Sequence, residues 1–241
     1  MQAAEEQDKV VRFYDQFAEK QEKTGINSRH LSILDKVKQA GLQAQHRILE
    51  VGCGIGTVSH LLATQVPQGE VLAVDISPES IEKARVLWKK QGNLKFDVSD
   101  MSDFNLPGKT FDFFVFPDVL EHIPVAQHAP LFKNIQAHAH QDSVLFVHIP
   151  APRYLEWMIA NQPEKLQVID QPLDTGILVQ TLGAAGFYLE KMETYALFFE
   201  EKDYQYFVFR STKKLQQSTA KSKWQVFKER VLIRLKYGIT S

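Results

Sequence analysis

The chain has 241 residues, 44% apolar and 24% charged, with a net charge of −1 at pH 7. That length allows one domain with a sizeable core, or one domain plus an appendage, and so even a charge lacks the basic stripe of a nucleic-acid binder; no nucleic-acid partner is expected. A lone cysteine, Cys53, excludes an internal disulfide, and the acidic start with no apolar run near ~20 residues argues against a leader peptide or a membrane span, so a cytoplasmic location is expected.

Residues 5–20 and 28–40 have helical spacing. Val10, Phe13, Tyr14 and Phe17 fall on one face of the first. In the second, Ser28 is the expected cap, with Leu31, Leu34 and Val37 following at threes. From Arg47 onward short β-rich runs alternate with helical stretches. RILEV is a strand and 58–66 a helix; EVLAVD is a strand and 78–91 a helix with proline near its first turn. LKFDV and FDFFVFPD follow as strands, then a helix near 127–140, then the strand SVLFVHIP. Strands apolar on both faces and alternating with helices predict a parallel sheet covered on both sides. After a helix over 175–185, FYLEKMETY and YQYFVFRS stand about ten residues apart. That leaves no room for a crossover, so they should run antiparallel. The expected fold is α/β: a three-layer Rossmann-like sandwich on a mostly parallel seven-stranded sheet, with one antiparallel strand near the C-terminal end. Three segments are expected: N-terminal helices over 1–46 covering the active site, a central domain over 47–211, and 212–241 as a polar linker with a basic amphipathic helix.

The stretch ILEVGCGIGT breaks from a strand into Gly52, Gly54 and Gly56. The dinucleotide fingerprint spaces its last two glycines three apart; here they are two apart. Phosphate sites welcome anions, yet Glu50 sits two residues before Gly52. A carboxylate there would repel a pyrophosphate and attract an ammonium or a sulfonium. Glycines kept for packing alone are the alternative.

On EVGCGIG the chain resembles the class I S-adenosylmethionine (SAM)-dependent methyltransferases of the small-molecule branch. The resemblance covers roughly 47–211 and extends to three further places. Asp75, ending EVLAVD, would accept from ribose hydroxyls, with Ile76 at the adenine face. Asp100 and Met101 in FDVSDMSDF match the family's adenine-binding position, Asp97 and Asp103 being competitors. Asp118 to His122 in FDFFVFPDVLEHIP reproduce a D-V-L-E-H stretch, so backbone of Pro117 and Asp118 would border the methyl group. The resemblance implies SAM as cofactor, held by Glu50, Gly52, Gly54, Gly56, Asp75, Ile76, Asp100, Met101 and Pro117.

The implied activity is methyl transfer to a small or lipid-linked acceptor, at a hydroxyl oxygen. A hydroxyl acceptor is helped by a base, and His148, His122 and Asp118 are the candidates at the carboxyl ends of strands four and five. His122 has a loop-bonding role as its alternative, and strand alternation could turn His148 into the core. Tyr154, Trp157 and Met158, in the long insertion RYLEWMIANQPEKLQVIDQP, and Tyr14 in RFYDQFAEKQ are expected to line the acceptor pocket. His138 and His140 would diverge on a helix and lack a third ligand at suitable spacing, so no metal is expected. Cys53 reads as a small apolar filler.

Residues 221–237 carry six lysines and arginines against one glutamate, with Trp224, Phe227, Val231 and Leu235 at threes and fours. That pattern suits a peripheral contact with anionic lipid; docking on its own domain or on a partner subunit is the alternative. A nicotinamide-dependent oxidoreductase and a catalytically silent SAM-fold module are the competing functional readings.

Overall fold

The structure is a computed structural model that describes residues 21–101, 104–211 and 219–238. The described elements run in chain order as α1 (Ser28–Gln39), β1 (Arg47–Val51), α2 (Thr57–Gln65), β2 (Glu70–Asp75), α3 (Pro78–Leu87), β3 (Leu94–Val98), β4 (Phe111–Pro117), α4 (Val125–Ala137), β5 (Ala139–Pro150), α5 (Pro152–Asn161), α6 (Thr175–Ala184), β6 (Phe187–Tyr195), β7 (Tyr204–Ser211) and α7 (Lys223–Lys236). Short 3-10 turns at Leu120–His122 and Pro163–Lys165 complete the order.

The seven strands form one sheet in the order β3-β2-β1-β4-β5-β7-β6. All neighbours are parallel except β7, which runs antiparallel to both β5 and β6. This is the expected architecture. Strand order reverses between β1 and β4, and in an open α/β sheet ligands bind outside the carboxyl ends of the strands at such a switch point. The loops after Val51 and Pro117 meet there.

Alternate residues of the central strands feed two cores. Leu49, Phe114, Phe116 and Val147 pack on one face with Leu131, Phe132 and Leu178. Ile48, Phe113, Val115 and Phe146 pack on the other with Ile33, Val37, Val58 and Leu62. Glu50 has the parity of Ile48, and His148 that of Phe146, so both side chains leave the sheet toward α1 and α2. That parity decides the chemistry of the site.

Several boundaries differ from the sequence expectation. Asn27, not Ser28, caps α1: its side chain accepts from the Arg29 and His30 N–H groups. The buried stripe of α1 is Ile33 and Val37, whereas Leu31 faces solvent at 52% exposure. Helix α3 stops at Leu87, because Trp88 turns in to donate from Nε1 to the Ile55 carbonyl (2.8 Å) and stack on His60. Helix α4 ends at Ala137, and His140 lies in β5 rather than on a helix, its Nε2 3.0 Å from Asp112 Oδ1. The insertion after β5 is helical in its first half. Pro152 opens α5 at a position where proline costs nothing, and Leu155 and Met158 supply a buried face three residues apart.

Candidate active site

The glycine loop is built by backbone approach. Val51 hands over to Gly52 and Cys53, whose N–H groups both donate to the Val74 carbonyl (2.8 and 3.0 Å). All three glycines have φ between 52° and 78°, a region that favours glycine. Their neighbours differ. A Cβ on Gly52 would lie 2.3 Å from Val119 Cγ2, and one on Gly56 would lie 2.6 Å from the Phe96 ring. Packing therefore requires those two. The atoms nearest to a Cβ on Gly54 would be those of the Gln21 amide, at 2.7 Å, so the Gln21 side chain lies across this glycine. Cys53 is buried in the second core, a filler as its composition suggests.

A cavity opens between this loop and the start of α1. Glu50, Gly52, Ile55, Pro117 and Asp118 form one wall; Gln21, Thr24, Asn27, Arg29 and His30 form the other. Glu50 is fully buried, and neither carboxylate oxygen has a hydrogen-bond partner among the described residues. Burial pushes its pKa up to about 8; Ser59 on α2 favours the charged form through proximity, without hydrogen-bond geometry, and Asp75 opposes it. An unpaired buried carboxylate is costly. One on a cavity wall is a seat for a cation. The residues present thus fit a ligand that carries an ammonium.

Of the other residues expected to hold a cofactor, Gly52 and Pro117 line this cavity, while Gly54, Gly56, Asp75, Ile76, Asp100 and Met101 do not. Asp75 Oδ2 accepts from the Gly54 N–H (2.7 Å) and Oδ1 from the Ser77 N–H (2.9 Å), so this carboxylate shapes the loop. Ile76 is half-buried beside it. The Met101 N–H, expected at the adenine ring, instead donates to Ser99 Oγ at 3.0 Å. Met101 is itself buried with φ 65°, while Asp100 is exposed; Asp103 and Tyr14 lie outside the described residues.

The expected catalytic residues separate into two groups. Asp118 and His148 come together, with His148 Nδ1 2.5 Å from Asp118 Oδ1. The other ring nitrogen, Nε2, is 2.6 Å from the Tyr195 hydroxyl, which accepts from Ser32 Oγ (3.1 Å). Burial pushes the Tyr195 phenol up to about 12. Tyr204 stacks on the His148 ring at 4.9 Å. Arg29 Nη1 bridges to Asp118 Oδ2 at 3.2 Å. Burial alone would raise the Asp118 pKa, but His148 and Arg29 outweigh it and hold the carboxylate below its usual range. His148 is wholly buried with both nitrogens engaged, so it does not face the cavity as a base; strand alternation turned it inward.

His122 belongs elsewhere. Its Nδ1–H is shared between the Ile169 carbonyl (2.6 Å) and Asp170 (3.2 Å), and Glu121 lies 3.8 Å from Nε2. Burial would lower its pKa, but Glu121 and Asp170 raise it. Gln171 bonds the carbonyls of Glu121 and Ile123. The Glu121-His122 pair thus pins the segment after α5.

Tyr154, Trp157 and Met158 do not line the cavity. Met158 is buried beneath α5, while Tyr154 stacks on Trp157 and meets Phe199 at a tilt. Sequence reasoning missed Arg29, His30, Tyr195 and Tyr204. The available signal was indirect: Arg29 and His30 follow directly on the helix cap that faces the strand ends.

A profile described as a methyltransferase domain matches residues 48–142. The chain is 32% identical over 99 residues to malonyl-[acyl-carrier protein] O-methyltransferase 1 of Ilyobacter polytropus, covering 41% of this chain and 34% of that protein. It is 28% identical over 153 residues to trans-aconitate 2-methyltransferase of Methylobacterium radiotolerans, covering 61% and 56%. The chain thus spans only about a third to a little over half of these curated relatives. Among solved structures, it resembles a SAM-dependent methyltransferase from Clostridium acetobutylicum (TM-score 0.62, 14% identity, 86% and 99% of the two chains). It also resembles the magnesium protoporphyrin IX methyltransferase of Synechocystis with bound S-adenosylhomocysteine (TM-score 0.61, 18% identity, 76% and 82%). At those identities the structures speak for the fold alone. Glycine loop and strand order agree with that match: residues 48–142 carry a methyltransferase domain, and the chain is similar to SAM-dependent methyltransferases in this region.

Proposed function

We propose that the chain moves a methyl group from SAM to an oxygen of a small, carrier-linked or lipid-linked acceptor. The observation that carries this reading is Glu50: a buried carboxylate without a hydrogen-bond partner, set on the cavity wall beside Gly52. The bound cofactor would supply an activated methyl group and a neutral thioether leaving group. Glu50 would take its ammonium, Gly54 would let backbone approach, Asp75 would accept from the ribose hydroxyls, and Asp100 would serve the adenine amino group. Pro117 and Asp118 would border the methyl group, and alignment of acceptor and methyl group would supply most of the acceleration. The relatives named for a malonyl group on a carrier protein and for trans-aconitate support a small or carrier-linked acceptor.

Calorimetry with SAM and with NAD tests the cofactor. Tight binding of SAM alone is expected; preference for NAD would restore the oxidoreductase reading. Turnover of methyl-labelled SAM with a cell extract separates an enzyme from a silent binding module.

Helix α7 supports a lipid surface as partner. None of its residues is buried among the described residues, and Trp224, Phe227, Leu232 and Leu235 are exposed beside its basic side chains. This reading places the enzyme at an anionic membrane surface.

A further inference from the structure

The wall opposite the glycine loop presents donors. Arg29 spends Nη1 on Asp118, while its Nε is buried with no hydrogen-bond partner among the described residues. His30 Nδ1 accepts from the Asn27 N–H at 3.2 Å. In a neutral ring the proton must then sit on Nε2. Burial, helped by Arg29, lowers the His30 pKa to about 4, so the ring is neutral at pH 7. Both residues line the cavity.

Among the described residues that line the cavity, none is free to act as a base. A hydroxyl or ammonium acceptor must surrender a proton during transfer. His148 has both nitrogens engaged, and Asp118 is clamped between His148 and Arg29. His30 already carries a hydrogen on its remaining nitrogen, and Glu50 is committed to the cofactor's ammonium. A carboxylate needs no deprotonation, and a planar guanidinium edge is the side chain suited to hold one.

We propose that the acceptor is a carboxylate, seated against Arg29 Nε and His30 Nε2 and converted to a methyl ester without a general base. The proposal rests on the methyl-transfer reading above and replaces the hydroxyl expected from sequence. A carboxylate oxygen lone pair forms the new C–O bond as the C–S bond breaks toward sulfur; the two opposite charges cancel and no proton is released.

Two experiments test it. In the first, thermal unfolding is followed with succinate and with succinamide, its uncharged counterpart, at equal ionic strength. Succinate should raise the melting temperature by at least about 2 °C more than succinamide, as ligand linkage requires. Arg29→Lys keeps a countercharge for Asp118 but has no Nε edge; it should lose the succinate shift and still bind SAM. Equal shifts by the two compounds in the native protein overturn the proposal, whether or not the variant folds. In the second, the product labelled from SAM in a cell extract is treated with mild alkali. An ester releases the label as volatile methanol, the expected result. Label that stays in alkali-stable product overturns the carboxylate and leaves methyl transfer standing. No transfer at all by a protein that binds SAM overturns methyl transfer itself.

Discussion

Asp118 Oδ1 and His148 Nδ1 meet at 2.5 Å across the ends of β4 and β5, and the far side of each residue is held by a third group: Arg29 on Asp118, Tyr195 on His148. The hydrogen bond ties the cavity wall to the buried face of the sheet. It makes His148 a positioning residue, with a consequence for mutants. His148→Leu leaves Asp118 with Arg29 alone. Breaking a buried pair costs about 3–5 kcal/mol, and the surviving bridge favours the low end of that range. At about 2–4 °C per kcal/mol for a domain of this size, the melting temperature should fall by roughly 6–12 °C. His148→Asn restores a donor to Asp118 and should recover most of both stability and turnover. Were the imidazole a base, the asparagine variant would be as inactive as the leucine one.

The three glycines of the loop should separate in the same way. Gly52→Ala drives a Cβ into Val119 and Gly56→Ala into Phe96. Both should unfold or strongly destabilise the protein, since overpacking adds about 1–3 kcal/mol to the roughly 1–2 kcal/mol of a left-handed alanine. Gly54→Ala meets first the flexible end of Gln21. Its stability loss should stay near the backbone cost, while calorimetry shows SAM affinity falling at least tenfold. Equal loss of stability across the three would remove Gly54 from the binding surface.

The fold was legible because its signals are local. RILEV, EVLAVD and FDFFVFP are apolar on both faces, and the short gap between Tyr195 and Tyr204 forbids a crossover. The glycine loop was legible for the same reason: Glu50 and the glycines lie within seven residues. The wall opposite it was not. Arg29 meets Asp118 and Tyr195 meets His148 only once α1 and β6 close over β4 and β5, and no spacing in the sequence records that closure. The buried face of α1 is not written in spacing alone: Leu31, Leu34 and Val37 at threes look as good as Ile33 and Val37 at four, and only packing decides between them. Met158 was placed in a pocket because an aromatic-rich insertion resembles a binding loop, whereas Pro152 starts a helix there and turns Met158 into the core.

If Glu50 takes the cofactor's ammonium as proposed, SAM binding acquires a pH dependence. The pKa of Glu50 in the free protein is raised to about 8 by burial. An ammonium placed beside it lowers that value, so binding at neutral pH must expel a proton. Affinity for SAM should therefore increase as pH rises from about 5, by up to about tenfold per unit, until the ligand's own α-amino group deprotonates near 7.7–8.0. The sign for the free protein is the reverse. A carboxyl whose folded pKa exceeds its unfolded value destabilises the fold as pH rises from the ordinary carboxylate range toward 8. Calorimetry in buffers of different ionisation enthalpy should record close to one proton released per SAM at pH 7. Glu50→Gln should abolish that release and flatten the affinity profile. Proton release unchanged in the variant would place the linkage elsewhere.

Helix α7 should be separable from the catalytic domain. None of its described residues is buried, although it carries a capping box from Ser222 and Gln225 and basic residues in its last turn. Residues 221–237 hold six basic side chains and Glu229, a charge of +5; with −1 for the whole chain, the remainder stands at −6. The apolar side chains do not follow a single stripe. Trp224, Val231 and Leu235 lie on one side and Ile233 nearly opposite, so charge must contribute much of any surface affinity. Each lysine or arginine near an anionic leaflet contributes about 1 kcal/mol, screened within a Debye length. The full chain should therefore float with vesicles rich in phosphatidylserine and not with purely zwitterionic ones, and 0.5 M salt should release it. A chain lacking residues 219–241 should stay in solution while its melting temperature moves by less than about 1 °C, because none of the described residues removed is buried. Flotation that ignores lipid charge would leave the basic residues without this role, and a large drop in melting temperature would show that the helix docks on its own domain instead.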